Sequence, residues 1–134
     1  MEQINILPII VSSLVSFGIG SLWYSPFLFG KEWMEGRHID QQSIKEFGVI
    51  KSYVIQFIFS VITFSVLAFI ISMAEVRTST DGAFLGLLAW LGFILPTSLS
   101  ALIWKRDNFT LFLIDVVNNL VVLTIGGAII GAWR

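Results

Sequence analysis

The stretch VIQFIFSVITFSVLAFIISMA, residues 54–74, carries no charged side chain at any position. A helix rises about 1.5 Å per residue and needs about 20 apolar residues to cross the hydrocarbon of a bilayer. This stretch is long enough to do so. Three further windows, residues 6–24, 83–104 and 109–133, have a similar length and apolar character. The sequence therefore predicts four membrane-spanning helices.

Composition supports the same class of protein. The chain has 134 residues, of which 56% are hydrophobic and 13% are charged, and its mean hydropathy is +0.87. A soluble domain has about 25% charged residues, and a chain this short cannot bury so much apolar surface in a fold that faces water. We therefore predict an all-α polytopic membrane protein, a four-transmembrane-helix bundle that forms a single membrane domain over residues 1–134.

The residue inventory excludes several kinds of chemistry. The chain has no cysteine and one histidine, His38, so we expect no disulfide, no metal or haem site and no other cofactor. The sequence has no glycine-rich phosphate loop and no Ser-His-Asp set, and its net charge of −1 gives no reason to expect a nucleic-acid partner. The segment before the first span contains Glu2 and no lysine or arginine, so we interpret that span as a retained helix rather than as a signal peptide.

The first span ends in GSLWYSPFLFGKEW, residues 20–33. Ser25 is a suitable N-cap, and Pro26 suits the first position of a helix, where its missing N–H is not needed. Residues 26–35 are too few to span a bilayer and combine aromatic with charged side chains. This pattern predicts a short interfacial helix with its rings in lipid and its charges towards water. The alternative is a loop with an aromatic anchor.

The same segment carries a motif made of a Trp-Tyr pair, a Ser-Pro pair and a Phe-Gly pair followed by a fourth aromatic residue. We call these residues the first-loop motif: Trp23, Tyr24, Ser25, Pro26, Phe29, Gly30 and Trp33. With Gly20, Lys31 and Met34 beside it, the motif resembles the signature of a family of small, mostly bacterial membrane proteins, domain of unknown function 1761. The resemblance implies four spans over essentially the whole chain, an acidic residue early in the last helix, which Asp115 supplies, and a place in the bacterial cytoplasmic membrane. It implies no established activity and no catalytic residue.

Cations are distributed unequally between the two sides of the predicted bundle. The loops after the first and third spans hold Lys31, Arg37, Lys45, Lys51, Lys105 and Arg106, and the opposite side holds Arg77 and Arg134. Because positively charged loops stay in the cytoplasm, we predict that both termini lie outside.

Small residues recur every four positions in three of the predicted spans. They are Ser12, Ser16 and Gly20 in the first, Gly82 and Gly86 at the start of the third, where Gly82 directly precedes the window, and Gly127 and Gly131 in the fourth. This spacing lets helix backbones approach closely. It predicts helix packing inside one bundle or, as the alternative, a subunit interface on the face of the two glycines in the fourth span.

Two residues of the third span raise questions of hydrogen bonding. Pro96 removes the backbone donor for the carbonyl of Gly92, so we expect a kink in this helix. Trp90 lies in the middle of the span, where its indole N–H needs an acceptor.

Polar side chains inside the spans form the candidate site, because hydrocarbon cannot satisfy them. In the second span Gln56 and Ser60 belong to a polar stripe, which predicts either hydrogen bonds between helices or the lining of a solute path. In the fourth span Asp115, Asn118 and Asn119 share a helix face. An acidic residue near the middle of a span costs about 2.5–3.5 kcal/mol on insertion scales, less near an interface, and is a functional candidate. The alternative is a packed carboxyl group that is hydrogen-bonded to Asn or Ser partners, or one that snorkels to Lys105 or Arg106.

Three functions fit this pattern. The first is a small homo-oligomeric permeation or transport module for an ion or small solute that the sequence does not identify. We include oligomerisation because four short helices leave little room for a pore in one protomer. The second is a non-catalytic membrane accessory or scaffold protein that uses the interfacial segment as a docking surface. The third, an intramembrane enzyme, requires a second acid–base group beside Asp115, and it ranks last because the spans offer none. In all three the lipid bilayer surrounds the chain.

Overall fold

The computed structural model describes residues 4–25, 27–36, 48–106 and 108–134. These residues form helices and turns, with no strand among them. In chain order the elements are α1 (Ile6–Trp23), α2 (Gly30–Gly36), α3 (Val49–Met73), α4 (Ser79–Ala89), a π-helical turn (Trp90–Ile94), α5 (Leu95–Trp104) and α6 (Phe109–Ala132).

Among the described residues, four helices are long and apolar enough to cross a membrane: α1, α3, α6 and the continuous span Ser79–Trp104 that contains α4, the π turn and α5. The predicted class, an all-α protein with four spans, is confirmed. Helix α3 begins at Val49 and the third span at Ser79, ahead of the predicted windows 54–74 and 83–104. These additional first turns carry polar residues. Such residues suit the headgroup region, into which a helix can extend beyond the hydrocarbon.

Helices α4 and α6 share the most extensive contact in the bundle, and glycines make it. A Cβ atom added to Gly82 would overlap the backbone carbonyl of Gly127 in α6. A Cβ atom added to Gly86 would overlap the backbone carbonyl of Leu123, which also belongs to α6. A Cβ on Gly131 would overlap the carbonyl of Thr78. Backbone therefore packs directly on backbone, and the glycine pairs of both spans pack within one bundle.

Helix α6 lies at the centre of the bundle and contacts α1, α3 and α4. The ring of Phe64 from α3 packs so closely on Gly126 that a Cβ there would overlap it. Apolar side chains of α1, α3 and α6 form the shared core, namely Ile9, Phe64, Leu67, Ala68, Ile71, Leu123 and Ile130. Many other large apolar side chains are exposed, as expected where lipid rather than water surrounds a helix.

The third span is not a uniform α-helix. Residues Trp90–Ile94 form a π-helical turn, in which the N–H of Leu95 donates to the carbonyl of Trp90 five residues earlier. Pro96 follows at once, and a proline deprives the carbonyl four residues before it of a donor. The distortion expected at Pro96 thus takes the form of a π turn on its N-terminal side. Beyond this turn, α5 has no buried residue.

The small residues of α1 pack only in part. Ser12 and its neighbour Ser13 are fully buried, and Ser16 is half-buried. Gly20 departs from the prediction, because a Cβ added there meets nothing within 4 Å and the glycine is therefore not a helix contact. Its carbonyl instead accepts the N–H of Tyr24 at the end of the helix. A glycine is compatible with both close contact and open space, so spacing alone does not separate the two.

Candidate functional site

The chain reverses between α1 and α2 through a tight turn. The carbonyl of Ser25 accepts the N–H groups of Leu28 and Gly30, at 3.1 and 2.9 Å. A Cβ at Gly30 would overlap the backbone of Tyr24 and Ser25, so only glycine fits at this position of the turn. The turn returns the start of α2 to the end of α1.

Two details of this turn differ from the predicted interfacial helix. Helix α2 begins at Gly30 rather than at Pro26, and residues 27–29 form turns, while Pro26 itself lies outside the described residues. The hydroxyl of Ser25 donates to the carbonyl of Leu22 at 2.6 Å and so closes the end of α1 instead of capping a new helix. Because a serine hydroxyl bonds preceding carbonyls as well as following N–H groups, the Ser-Pro pair alone does not distinguish these roles.

Three aromatic side chains of the first-loop motif bind α6. The indole N–H of Trp23 donates to the carbonyl of Ile114 at 2.9 Å. The indole N–H of Trp33 donates to Oδ1 of Asp115 at 3.0 Å, and the hydroxyl of Tyr24 donates to the same oxygen at 2.7 Å. The prediction that the rings of this segment lie in lipid is therefore wrong for Trp33, which is half-buried against protein.

The rings of the motif also pack on one another. The centroids of Tyr24 and Trp33 lie 5.3 Å apart with the rings edge to face, and those of Trp23 and Phe29 lie 5.1 Å apart. Edge-to-face pairs contribute about 0.5–1.5 kcal/mol beyond the area they bury. Phe27 points away from this cluster and is 90% exposed.

Another indole reaches α6 from the third span. Trp90, in the π turn, donates its N–H to the carbonyl of Val116 at 2.8 Å, which is the acceptor that a tryptophan in the middle of a span needs. Ile114, Asp115 and Val116 are consecutive, and each accepts a hydrogen bond from a side chain outside its own helix. A carbonyl oxygen has two lone pairs, so Ile114 and Val116 can accept an indole as well as their helical donor.

Asp115 is the chemical centre of this arrangement. It lies in the second turn of α6, about 9 Å from Phe109 at the helical rise of about 1.5 Å per residue, and it is half-buried. Hydrogen bonds to an ionised carboxylate are stronger than those between neutral groups, so the two donors on Oδ1 fix the carboxyl group and hold α2 against α6. We call the following residues the Asp115 site: Asp115, Trp23, Tyr24, Trp33 and Trp90.

The other polar residues predicted for the site are arranged differently. Asn118 lies one turn beyond Asp115, and its Oδ1 is buried without a hydrogen-bond partner among the described residues. Asn119 is exposed. In α3, the side chain of Gln56 is exposed, and its backbone carbonyl accepts a hydrogen bond from the hydroxyl of Ser60 at 3.1 Å. The hydroxyl of Ser60 in the polar stripe of α3 thus forms a hydrogen bond within its own helix. The hydrogen bonds described for Asp115 come instead from the first-loop motif.

A cavity of about 160 Å³ opens at the opposite end of the bundle, beside the first and last described residues of the chain. Helices α1, α3 and α6 and the residues next to them line it, namely Ile4, Asn5, Pro8, Ala68, Ser72, Ile130, Trp133 and Arg134. Nη1 of Arg134 donates to the carbonyls of Ile71 and Val76, at 3.0 and 3.1 Å, and so closes the C-terminus of α3. We call this end the terminal end and the end with the Asp115 site the motif end.

Sequence reasoning identifies both halves of the Asp115 site and misses their contact. It selects Asp115 as an acid inside a span, and it selects Tyr24 and Trp33 as members of the first-loop motif. Tyr24 and Asp115 are separated by 91 positions, so no periodicity links them. The signal that could have linked them is the family resemblance, which implies an early acidic residue in the last helix in addition to the first-loop motif. Within the described part of the chain, no group of three or more His, Cys, Asp or Glu side chains could hold a metal ion.

The family described as protein of unknown function (DUF1761) matches residues 7–131. The chain belongs to this family. The match extends from α1 to the last turn of α6, so it includes the first-loop motif and Asp115, and it confirms the resemblance that the motif suggested. Comparison with curated proteins and with solved structures finds no match for this DUF1761 member.

Proposed function

We propose that this DUF1761 member is the protomer of a small permeation or transport module in which Asp115 binds the permeating ion or solute. The observation that supports the proposal is a half-buried carboxyl group inside a span, held in one orientation by Tyr24 and Trp33. An acidic side chain in a span carries an insertion cost that a neutral side chain does not. An amide oxygen would also accept the donors of Tyr24 and Trp33, so these two bonds do not by themselves require the charge.

The surroundings of Asp115 support the same proposal. The carboxyl group is partly exposed and close to the motif end, so a solute would reach it from one side of the membrane. The π turn lies against the same stretch of α6 through the bond from Trp90 to Val116. Such turns occur frequently at functional sites, because they interrupt the regular hydrogen bonding of a helix.

We also propose that copies of this chain form a homo-oligomer in the bacterial cytoplasmic membrane, with both termini outside. The glycine face of α6 packs on α4 within the protomer, so the copies would meet on another face, and α5 offers one with no buried residue. The mass of the purified protein in detergent tests the assembly, and a monomer would contradict it. Cysteines introduced at positions 43 and 78 test the orientation: an impermeant thiol reagent applied to intact cells should label position 78 alone.

The test of transport compares Asp115→Asn with the native protein in proteoliposomes. Fluxes of protons, Na⁺ and K⁺ are measured under imposed gradients with indicator dyes inside the vesicles. Asparagine keeps the shape and an acceptor oxygen for Tyr24 and Trp33, so the fold and the oligomeric state should survive while the flux is lost. Asp81→Asn, at an exposed acidic residue in the first turn of α4, is the matched control and should leave the flux unchanged. Equal fluxes in the folded Asp115→Asn and native proteins would contradict the proposal.

The alternative is a non-catalytic accessory or scaffold protein, and one observation favours it. Tyr24 and Trp33 fix the turn between α1 and α2 on α6, while Phe27 in that turn is 90% exposed. A rigid turn with an outward ring would suit docking to another membrane protein. Under this alternative, native proteoliposomes show no flux above protein-free vesicles, and Asp115 serves only to hold the turn.

A further inference from the structure

Asn119 is an exception on the packed face of α6. Residues of a helix that are spaced alternately four and three positions apart lie on one face, and α6 has such a series of buried residues, namely Phe112, Val116, Leu123, Gly126 and Ile130. Asn119 holds the place in this series between Val116 and Leu123, but it is exposed. The face of α6 that packs on the rest of the bundle is therefore uncovered at this level.

The course of α3 explains the exposure. Helices α3 and α6 run in the same direction, and two contacts fix their register: Phe64 packs on Gly126, and Ala68 lines the terminal cavity together with Ile130. Seven residues nearer the motif end, the level of Asn119 in α6 is that of residue 57 in α3. Residues 49–59 of α3 include none that is buried. The first half of α3 therefore stands away from α6.

The gap opens sideways, towards the hydrocarbon of the bilayer. Asn119 lies about 15 Å from Phe109 at the rise of about 1.5 Å per residue, near the middle of α6. Towards the motif end the same face is closed again, because Val116 and Phe112 are buried. Between α3 and the third span, in contrast, contacts are few. We call the gap beside Asn119, between the first half of α3 and the third span, the lateral cleft.

Two polar side chains of α6 belong to this level of the membrane. Asp115 precedes Asn119 by one helical turn, so their Cβ atoms are about 5–6 Å apart, and Asp115 is half-buried. A carboxylate has about four acceptor sites, so it can accept a further donor beside Tyr24 and Trp33. The amide of Asn119 adds a neutral acceptor oxygen. Residues 54–59 of α3 are apolar apart from Gln56. The cleft thus combines a negative charge and an amide with an apolar wall.

We propose that the lateral cleft binds an amphiphilic organic cation, a cationic nitrogen group with N–H donors on an apolar tail, which enters from the bilayer. The cationic group donates to the carboxylate of Asp115 and to the amide oxygen of Asn119, and the tail lies against α3. An inorganic ion would have to leave water to reach this opening, at a large desolvation cost. An amphiphile already dissolved in the membrane carries its charge to the opening beside an apolar tail. The proposal deepens the proposed function, on which it rests for the transport step alone, by naming the class of substrate.

Binding is measured with radiolabelled octylguanidinium on the full-length protein in lipid nanodiscs, and protein-free nanodiscs give the background from partition into lipid. We expect saturable binding to the native protein. Two competitors separate the parts of the ligand: octanol has the tail without the charge, and guanidinium has the charge without the tail. Neither should displace octylguanidinium. Displacement by octanol would show that the cleft takes any apolar chain, and displacement by guanidinium would show that no tail is needed; either result would overturn the proposal.

Three variants locate the site. Asn119→Leu keeps the approximate size and removes the amide, and it should weaken binding about tenfold, as expected for one hydrogen bond to a charged group. Asp115→Asn removes the charge and should abolish saturable binding. Thr63→Val is the matched control, because Thr63 is an exposed polar residue of α3 whose hydroxyl already donates to the carbonyl of Phe59 at 3.0 Å. Equal affinities of the Asn119→Leu and Thr63→Val proteins would overturn the proposal.

Two further measurements do not depend on how the variants bind. In the native protein, octylguanidinium should shift the NMR signal of the Asn119 side-chain amide, which is assigned by its absence from Asn119→Leu, and octanol should not; an unshifted signal at saturation would overturn the proposal. The mass of Asn119→Leu in detergent should equal that of the native protein. A smaller assembly would show that a second copy covers Asn119, and it would also overturn the proposal.

The flux experiments separate this inference from the proposed function. Octylguanidinium stays charged at neutral pH, so its uptake into proteoliposomes reports passage through the protein, and uptake that is lost in Asp115→Asn would support both. A flux of protons, Na⁺ or K⁺ that depends on Asp115, without saturable octylguanidinium binding, would overturn the inference and leave the transport function standing. Octylguanidinium binding that depends on Asn119, without any flux that depends on Asp115, would overturn the transport function and leave the ligand class of the cleft standing.

Discussion

The two ends of α6 are held to the rest of the bundle by different kinds of contact. Near the terminal end, Gly127 and Gly131 place the backbone of α6 directly on the backbone of α4 and the residue before it, with no side chain between them. Near the motif end, the three residues from Ile114 to Val116 accept hydrogen bonds from the side chains of Trp23, Tyr24, Trp33 and Trp90. The first contact requires that the glycines have no side chain, and the second requires particular side-chain hydrogen-bond donors.

This difference determines how each end should respond to substitution. Backbone contact has no flexible side chain that can move aside, so one added methyl group forces the helices apart. Hydrogen bonds from separate side chains can be lost one at a time, and each loss has a limited cost. We therefore expect the largest loss of stability from the glycine contact and smaller losses from the Asp115 site.

The largest effect is expected for Gly127→Val. A Cβ at this position overlaps the carbonyl of Gly82, so α4 and α6 must separate, and the free energy of unfolding should fall by about 3 kcal/mol, the upper end of overpacking costs. Denaturant titration in detergent micelles, followed by circular dichroism, measures the change. Gly20→Ala is the control, because its Cβ enters open space, and it should stabilise the helix by about 0.5–1 kcal/mol. A Gly127→Val protein as stable as the native one would remove the basis of the comparison.

A smaller effect is expected for Asp115→Leu. Leucine leaves the Tyr24 hydroxyl and the Trp33 N–H without their acceptor, and because these groups are only partly buried the total cost should be about 2 kcal/mol, towards the lower end for two unpaired groups. Asp115→Asn retains an acceptor and should lose about 1 kcal/mol, the difference between a charge-assisted and a neutral hydrogen bond. The same titration measures both variants. If the leucine variant were more stable than the native protein, the contact between α2 and α6 would not depend on Asp115.

The smallest loss is expected for Trp90→Phe. The substitution keeps the ring and removes the N–H that donates to Val116, whose carbonyl retains its helical bond, so the loss should be about 1 kcal/mol. Trp104→Phe is the control at a tryptophan that is 83% exposed, and it should change nothing. Equal stabilities of the two variants would show that the bond from the π turn adds nothing to the attachment of α6.

The same comparison explains how far the sequence predicts this molecule. The glycine contact follows in part from local signals. The four-residue connection before α6 indicates that the third and fourth spans are antiparallel neighbours, and GxxxG spacing indicates close helix packing, although that spacing also suits a subunit interface. The Asp115 site does not follow from local signals. The amphipathic ring of Trp33 can satisfy its N–H with headgroup water or with a carboxylate, and the sequence of residues 26–35 suits both. Only the fold, which brings Tyr24 and Trp33 to Asp115, decides between them.

The π turn at Trp90–Ile94 also sets the helical phase of the third span. One additional residue in a turn rotates everything beyond it by about 100° relative to an uninterrupted α-helix. The face of α4 that carries Gly82 and Gly86 therefore does not continue into α5, which explains why a single span packs tightly in its first half and has no buried residue in its second. The two halves are out of phase, so substitutions on α5 change what the protein meets in the membrane without changing how α4 and α6 fit together.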